Sequence, residues 1–338
     1  MRAAVLTELN KIEIQELPVP EVIHDTDVQV RVKAVGICGT DLHMFHESRP
    51  DVQLPRIMGH ELSGQVTAVG SAVTRVKVGD RVVLDPVFAC GTCPTCRKGH
   101  PNVCSKVRCY GVQMDGGFQD YIVVGQEHLH PFSPSVSYEE AALAEPFSIA
   151  ANILERAQLT AGENLLIVGS GTIGLAILQV AKSKGARVMV SDIISEKLAI
   201  ARKMGADKAV NSKTDSLEQA AEAFCETGFD VVVDAVGVTP LFTQALNYAA
   251  PCGRIICIGF DGRPAEIPPV MITKKELSII GSRMNCNRFP VVMEWLNQGN
   301  IQADKMISRK YSVMDIQTAF QETLHDSNGN IKTLILFD

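Results

Sequence analysis

Cys90, Cys93, Cys96 and Cys104 follow one another with two, two and seven residues between them, in a chain of 338 residues that holds ten cysteines. Two-residue gaps let a turning backbone aim successive thiolates at one point, and tetrahedral Zn²⁺ takes four sulfurs at about 2.3 Å. Such a site leaves no open coordination position, so its metal would be structural. An iron–sulfur cluster or four independent core thiols are the competing readings. Cys109 lies outside the spacing and reads as a small buried hydrophobe.

A second set of donors is more dispersed. Cys38-Gly-Thr40-Asp41-x-His43, Gly59-His60-Glu61 and Glu145 in Glu-Pro-Phe offer a thiolate, imidazoles and carboxylates. Mixed Cys, His and carboxylate ligands with one place left for water or substrate describe catalytic zinc. Spacing alone leaves turn residues and a surface Glu as an open alternative.

Gly169-Ser-Gly171-Thr172-Ile173-Gly174 closes an apolar strand and opens a helical pattern. In that context Gly169 permits the tight turn, Gly171 lets backbone approach a pyrophosphate, and Gly174 brings helix and strand together. The pyrophosphate would meet the positive end of the helix dipole. Asp192 ends the next strand, 18 residues after Gly174. It can accept hydrogen bonds from the adenosine ribose and would repel a 2′-phosphate, which favours NAD over NADP. Lys197 would support the ribose edge, and Ile258 is a further cofactor-binding candidate. The bland alternative is a glycine-rich turn followed by a capping Asp.

The elements that must position these groups fall into two textures. Residues 1–147 read as short β pieces (IEIQEL, VQVRVKAVGI, LSGQVTAVG, DRVVLDP, YIVV) punctuated by Gly, Pro and Asp, as in a small irregular barrel. From about 160, strands NLLIVGS, RVMVSD, KAVN, FDVVVDAVG, GRIICIG and LSIIGS alternate with amphipathic helices, which predicts a doubly wound parallel sheet. After about 285 the pattern predicts helix, helix and a closing strand, KTLILF.

Composition narrows the function classes. With 46% hydrophobic and 21% charged residues the chain is globular. A net charge of −6 without a basic run argues against nucleic acid or a membrane surface as partner. No apolar stretch approaches the roughly 18 residues of a membrane span, and the N-terminus lacks a signal-peptide h-region. The expectation is a cytoplasmic protein, where clustered cysteines point to metal rather than disulfides.

Taken in order, Cys38-Gly-Thr-Asp-x-His43, Gly-His60-Glu61, Gly79-Asp80-Arg81-Val, the four-cysteine lobe, Gly116-Gly117-Phe118, Glu145-Pro146 and Gly169-x-Gly-x-x-Gly174 resemble the zinc-dependent medium-chain dehydrogenases. The resemblance covers essentially the whole chain and is greatest to the polyol branch, with sorbitol dehydrogenase and L-threonine 3-dehydrogenase as relatives. It implies an α/β architecture: a GroES-like β-barrel catalytic domain at 1–147 with a structural zinc lobe at 88–106, a Rossmann NAD-binding domain at 148–284, and a return to the catalytic domain at 285–338. It implies that Cys38 and His60 ligate zinc, and that Glu61 and Glu145 ligate it or stand beside it. Thr40 would accept the substrate proton, His43 would relay it to solvent, and Asp41 would orient the ligand histidine. Two departures, Gly-Ser-Gly-Thr-Ile-Gly in the nucleotide loop and Gln119-Asp120-Tyr121 after Gly-Gly-Phe, touch nothing catalytic.

These readings converge on an NAD- and zinc-dependent enzyme, with one catalytic and one structural zinc per subunit. It would oxidise a secondary alcohol of a polyol, sugar acid or related polyhydroxylated substrate. L-Threonine is the alternative substrate. A non-catalytic nucleotide-binding protein on the same fold is the alternative of another class, and a quinone reductase is disfavoured because it lacks both zinc sites. Phe45, Tyr110, Phe118, Glu145 and the Arg283-Met284-Asn285 stretch are expected to line the pocket. By resemblance, a homodimer or homotetramer would be joined along Leu277–Ser282. His24, His46, His100, His128, His130 and His325 carry no motif and read as surface or satisfied core residues.

Overall fold

The computed structural model describes residues 1–259, 261–325 and 328–338. They form two compact units, Met1–Ser148 with Asn285–Asp338, and Ile149–Met284.

In the first unit the long strand Asp27–Gly36 buries Val28, Val30, Val32 and Ala34 at alternate positions, the period of a strand with one face in a core. Glu61–Val69, Tyr121–Gly125 and Lys332–Leu336 pair with it, all antiparallel. Arg81–Leu84 and Leu129–Pro131 continue the sheet on one side, and Ile307–Ser312 on the other. Register decides what meets at the end of the central strand. Gly36 pairs with Glu61 on one side and with Leu334 on the other, so the start of Glu61–Val69 and the middle of Lys332–Leu336 flank one glycine. A smaller sheet of Lys11–Glu16, Arg2–Glu8 and Arg56–Ile57 accompanies it.

Phe45 and Phe118 both pack against Phe320, with ring centroids 5.3 and 5.7 Å apart. All three are almost wholly buried, each worth roughly 1.5–3 kcal/mol of transfer free energy. Phe45 and Phe118 were expected to line the substrate pocket; the structure uses them as core. The C-terminal stretch also differs from expectation. Between the helices Phe289–Gln298 and Ile316–His325 lies the strand Ile307–Ser312, parallel to Lys332–Leu336. Its residues alternate between half-buried and exposed at the sheet edge, so Arg309 and Lys310 hide the apolar signal that a buried strand would show.

The second unit is the expected doubly wound parallel sheet. Its six strands lie in the order Lys208–Asn211, Arg187–Asp192, Asn164–Val168, Phe229–Asp234, Ala249–Cys257, Ser278–Gly281. The chain starts at the centre, works to one edge and then returns to build the other half, which opens a crevice beyond the ends of Asn164–Val168 and Phe229–Asp234. Leu166, Met189, Phe229, Val232, Leu246 and Ile255 form its core. Among the described residues no helix is long and apolar enough to cross a membrane.

Candidate active site

Cys38 is the N-cap of the helix Gly39–His46. Its amide donates to Asp41 Oδ2 at 2.8 Å, so the carboxylate at the third helical position caps the turn that presents the thiol. Asp41 is fully buried, and its other oxygen accepts from the Gly59 amide at 3.3 Å and stands 3.6 Å from His60 Nδ1. One carboxylate therefore caps the turn that carries Cys38 and lies beside the His60 ring.

Cys38, His60 and Glu61 each bring one donor atom to within 4.8 Å of the others. Burial opposes protonation of His60, but the charges of Asp41 and Cys38 outweigh it and raise its pKa well above the ordinary value. Glu61 meets Lys332, a buried ammonium that lies 2.7 Å from each carboxylate oxygen and also donates to the Ile37 carbonyl at 2.9 Å. Lys332 is the functional residue that sequence reasoning missed. Burial alone would lower its pKa, yet Glu61 and Cys38 hold it above the usual lysine range. A Cβ on Gly36 would stand 2.1 Å from Glu61 Oε2, so the paired glycine makes room for the carboxylate.

The donor set fits a zinc ion. Thiolate, imidazole and carboxylate are its ordinary ligands, and Cys38, His60 and Glu61 bring one of each together. Glu145 stands outside the three-donor group. It lies buried in the first turn of the helix Ala144–Arg156, where burial pushes its carboxyl up to about 7. Thr40 and His43 continue the Cys38 helix toward its exposed side, and the His43 side chain is 62% exposed.

Cys90, Cys93, Cys96 and Cys104 also converge within 4.8 Å. Sγ–Sγ separations of 3.4, 3.8 and 3.4 Å for Cys93–Cys96, Cys93–Cys104 and Cys90–Cys104 are close to the roughly 3.8 Å edge of a tetrahedral Zn–S₄ site. All four are free thiols. The Cys93 thiol is held down to about 5, chiefly by the Thr95 hydroxyl and the Cys96 amide, so it readily supplies a thiolate. Cys109 is buried apart from them, and its thiol is pushed up to about 12 by burial.

In the second unit each glycine of the nucleotide loop shows its own constraint. Gly169 has φ +100°, Gly171 faces open space, and a Cβ on Gly174 would stand 1.9 Å from the Gly169 carbonyl oxygen. Gly171 caps the helix Thr172–Ser183, whose first residues are Thr172 and Ile173. Asp192 Oδ2 accepts from the Ser170 amide and hydroxyl at 2.6 and 2.7 Å, while Oδ1 accepts from the amides of Ile193 and Ile194. Ser170 was not singled out from sequence, although it tethers the loop to the acid. Lys197 and Ile258 are half-buried, on the helix Ser195–Lys203 and just past the strand Ala249–Cys257.

Of the remaining pocket candidates, Tyr110 is buried edge-on to Phe88 and His128. Asn285 donates to Asp85 at 3.0 Å. The carbonyls of Arg283 and Met284 accept from Asn152 at 3.4 and 3.0 Å.

Residues 24–134 match the family model described as the alcohol dehydrogenase GroES-like domain, and residues 172–298 that described as zinc-binding dehydrogenase. The chain is 35% identical to a sorbitol dehydrogenase of Bacillus subtilis (strain 168), over 99% of this chain and 97% of that protein. It is 32% identical to an L-idonate 5-dehydrogenase of Vitis vinifera, over 97% and 92%. Among solved structures, the RspB alcohol dehydrogenase of Escherichia coli CFT073 in complex with NADH superposes with a TM-score of 0.95 at 36% identity, over 100% of this chain and 99% of that one.

Proposed function

The chain belongs to the zinc-dependent medium-chain dehydrogenases, and from that membership we propose that it oxidises a secondary alcohol of a polyol, sugar acid or related polyhydroxylated carbon chain, with NAD as the hydride acceptor. The observation that carries the reading is the convergence of Cys38, His60 and Glu61 beside a helix that also bears Thr40 and His43.

Cys38, His60 and Glu61 would hold the catalytic zinc, with Glu145 beside it. Zinc, when bound, supplies Lewis acidity that makes an alcohol proton easier to remove. Asp41 orients His60, and Lys332 balances the charge of Glu61. Thr40 accepts the proton of the substrate hydroxyl. His43, one helical turn past Thr40 and exposed, passes it to water. Gly169, Gly171 and Gly174, with the amides of Thr172 and Ile173, cradle the pyrophosphate of NAD. Asp192 takes the ribose hydroxyls, supported by Lys197, and Ile258 packs against the cofactor. The four-cysteine lobe would hold a structural zinc.

The polyhydroxylated substrate is supported by the sorbitol and L-idonate dehydrogenases to which the chain is similar. NADH formation across hexitols, pentitols, hexonates and L-threonine tests it. Activity with several members of the first three groups is expected, and activity confined to L-threonine would overturn it. A cytoplasmic setting is supported by the clustered thiols of Cys90, Cys93, Cys96 and Cys104, which form no disulfide. A homodimer or homotetramer joined along Ser278–Gly281 is supported by the position of that strand at a sheet edge, with Ile279 39% exposed. Light scattering at a mass near 36.6 kDa would exclude it.

A further inference from the structure

His43 and His46 lie one turn apart at the end of the helix Gly39–His46, and Glu47 is the extended residue that follows it. Each brings a donor atom to within 4.8 Å of the others. His46, which carries no motif and reads as a surface or satisfied core residue, has its ring against that of His43, with centroids 5.7 Å apart.

The contacts within the cluster place its donor atoms. His46 Nδ1 is bonded to the Leu42 carbonyl, which can only accept, so Nδ1 carries the hydrogen. Nε2 of the neutral ring is then a lone pair, yet it stands 3.1 Å from Glu47 Oε1. A cation belongs between Nε2 and Oε1 at that distance, and a second ring proton or a metal ion can equally be that cation. The other carboxylate oxygen, Oε2, lies 3.4 Å from His43 Nδ1. Two imidazole nitrogens and a carboxylate thus surround one point, while the His43 and Glu47 side chains are 62% and 57% exposed, which leaves room for water to complete a coordination shell. Imidazole selects zinc, copper and nickel over magnesium or calcium. Donors on zinc sit at about 2.0–2.2 Å from the metal, so a modest contraction of exposed side chains closes the site.

We propose that His43, His46 and Glu47 form a surface site for a divalent transition-metal ion, separate from the Cys38 cluster, and that its occupation inhibits turnover by engaging His43. The inhibitory half rests on the reading of His43 as proton relay. Free zinc or nickel would then act as a reversible brake without displacing the catalytic metal.

The test uses the zinc-loaded, full-length enzyme. Ni²⁺ is titrated calorimetrically and in assays with the best substrate of the panel, for wild type, His46→Ala and Glu47→Gln. Neither variant touches the Cys38 cluster, and inhibition is read relative to each protein's own rate without Ni²⁺. Wild type is expected to bind one more equivalent of Ni²⁺ than either variant, with half-inhibition at a concentration at least about tenfold lower. Equal binding in all three proteins overturns the site and leaves the relay reading intact. An extra equivalent bound by wild type without inhibition overturns the brake and, with it, the relay role of His43.

Discussion

The ammonium of Lys332 stands 2.7 Å from both carboxylate oxygens of Glu61, and each side chain is 2% exposed. The partners are 271 residues apart in sequence, joined by the register that sets Glu61 and Leu334 on either side of Gly36. Removing one member of a buried ion pair leaves the other charge unsolvated, which typically costs about 3–5 kcal/mol. Lys332→Met should therefore lower the urea stability of metal-depleted protein by an amount in that range. Zinc held by Cys38, His60 and Glu61 supplies a replacement positive charge, so the loss should shrink on loading. A loss that is the same with and without zinc would show that Glu61 does not share its charge with the metal.

How much of this site was legible depended on whether its parts are neighbours in sequence. The four cysteines and the glycine loop are short-range patterns, and the structure draws each together within a single turn or lobe. Lys332 was hidden because KTLILF reads as a closing apolar strand, and only sheet register decides which of its residues faces Glu61. Phe45 and Phe118 misled for a related reason. Each lies near a motif in sequence, but their rings turn toward Phe320 from the far end of the chain. Ser170 sits inside the recognised loop, yet its bond to Asp192 depends on how adjacent parallel strands align.

Gly36 supports a second expectation. Its position leaves no space for a methyl group, since a Cβ would overlap Glu61 Oε2 at 2.1 Å. Gly36→Ala should displace that carboxylate while sparing the cysteine lobe. Metal analysis should find the catalytic zinc reduced and the structural zinc retained, with kcat falling by at least about tenfold, the usual scale for disturbing a metal's supporting shell. Full occupancy with unchanged kcat would argue that Glu61 is dispensable.

The two proposed zinc sites should respond differently to loss of a thiol. Cys93→Ser opens a site whose metal closes a loop, and metal binding of that kind is coupled to folding. Its main effect should be on thermal stability or assembly. Cys38→Ser should preserve the melting transition and abolish turnover. Two zinc ions per subunit are expected in wild type and one in Cys38→Ser; one in wild type would contradict the assignment.

Asp192 has two tasks that mutation can separate. Its carboxylate holds the Ser170, Ile193 and Ile194 amides and is also proposed to bind the ribose. Asp192→Gly should therefore reduce stability while raising the NADP-to-NAD ratio of kcat/KM, by about tenfold if ~1.4 kcal/mol of repulsion is relieved. An Arg introduced nearby should increase the ratio further. If wild type uses NADP as efficiently as NAD, the ribose assignment fails.

His130 allows a test of stability against pH at a residue outside each candidate metal group. Its ring stacks on Phe289 with centroids 5.2 Å apart and planes inclined by 15°. Burial, with smaller contributions from Arg75 and His128, brings its pKa down from 6.5 to about 4. The folded protein therefore prefers neutral His130, while the unfolded chain takes up a proton as the pH falls below about 6.5. The stabilisation is complete above that value and is lost progressively down to about pH 4, a total on the order of 3 kcal/mol. His130→Phe keeps an aromatic ring against Phe289 but removes the titration. Urea midpoints measured from pH 7.5 to 4.5 should fall less steeply for the variant than for wild type. Parallel slopes would show that His130 is protonated as easily in the folded protein as in the unfolded chain.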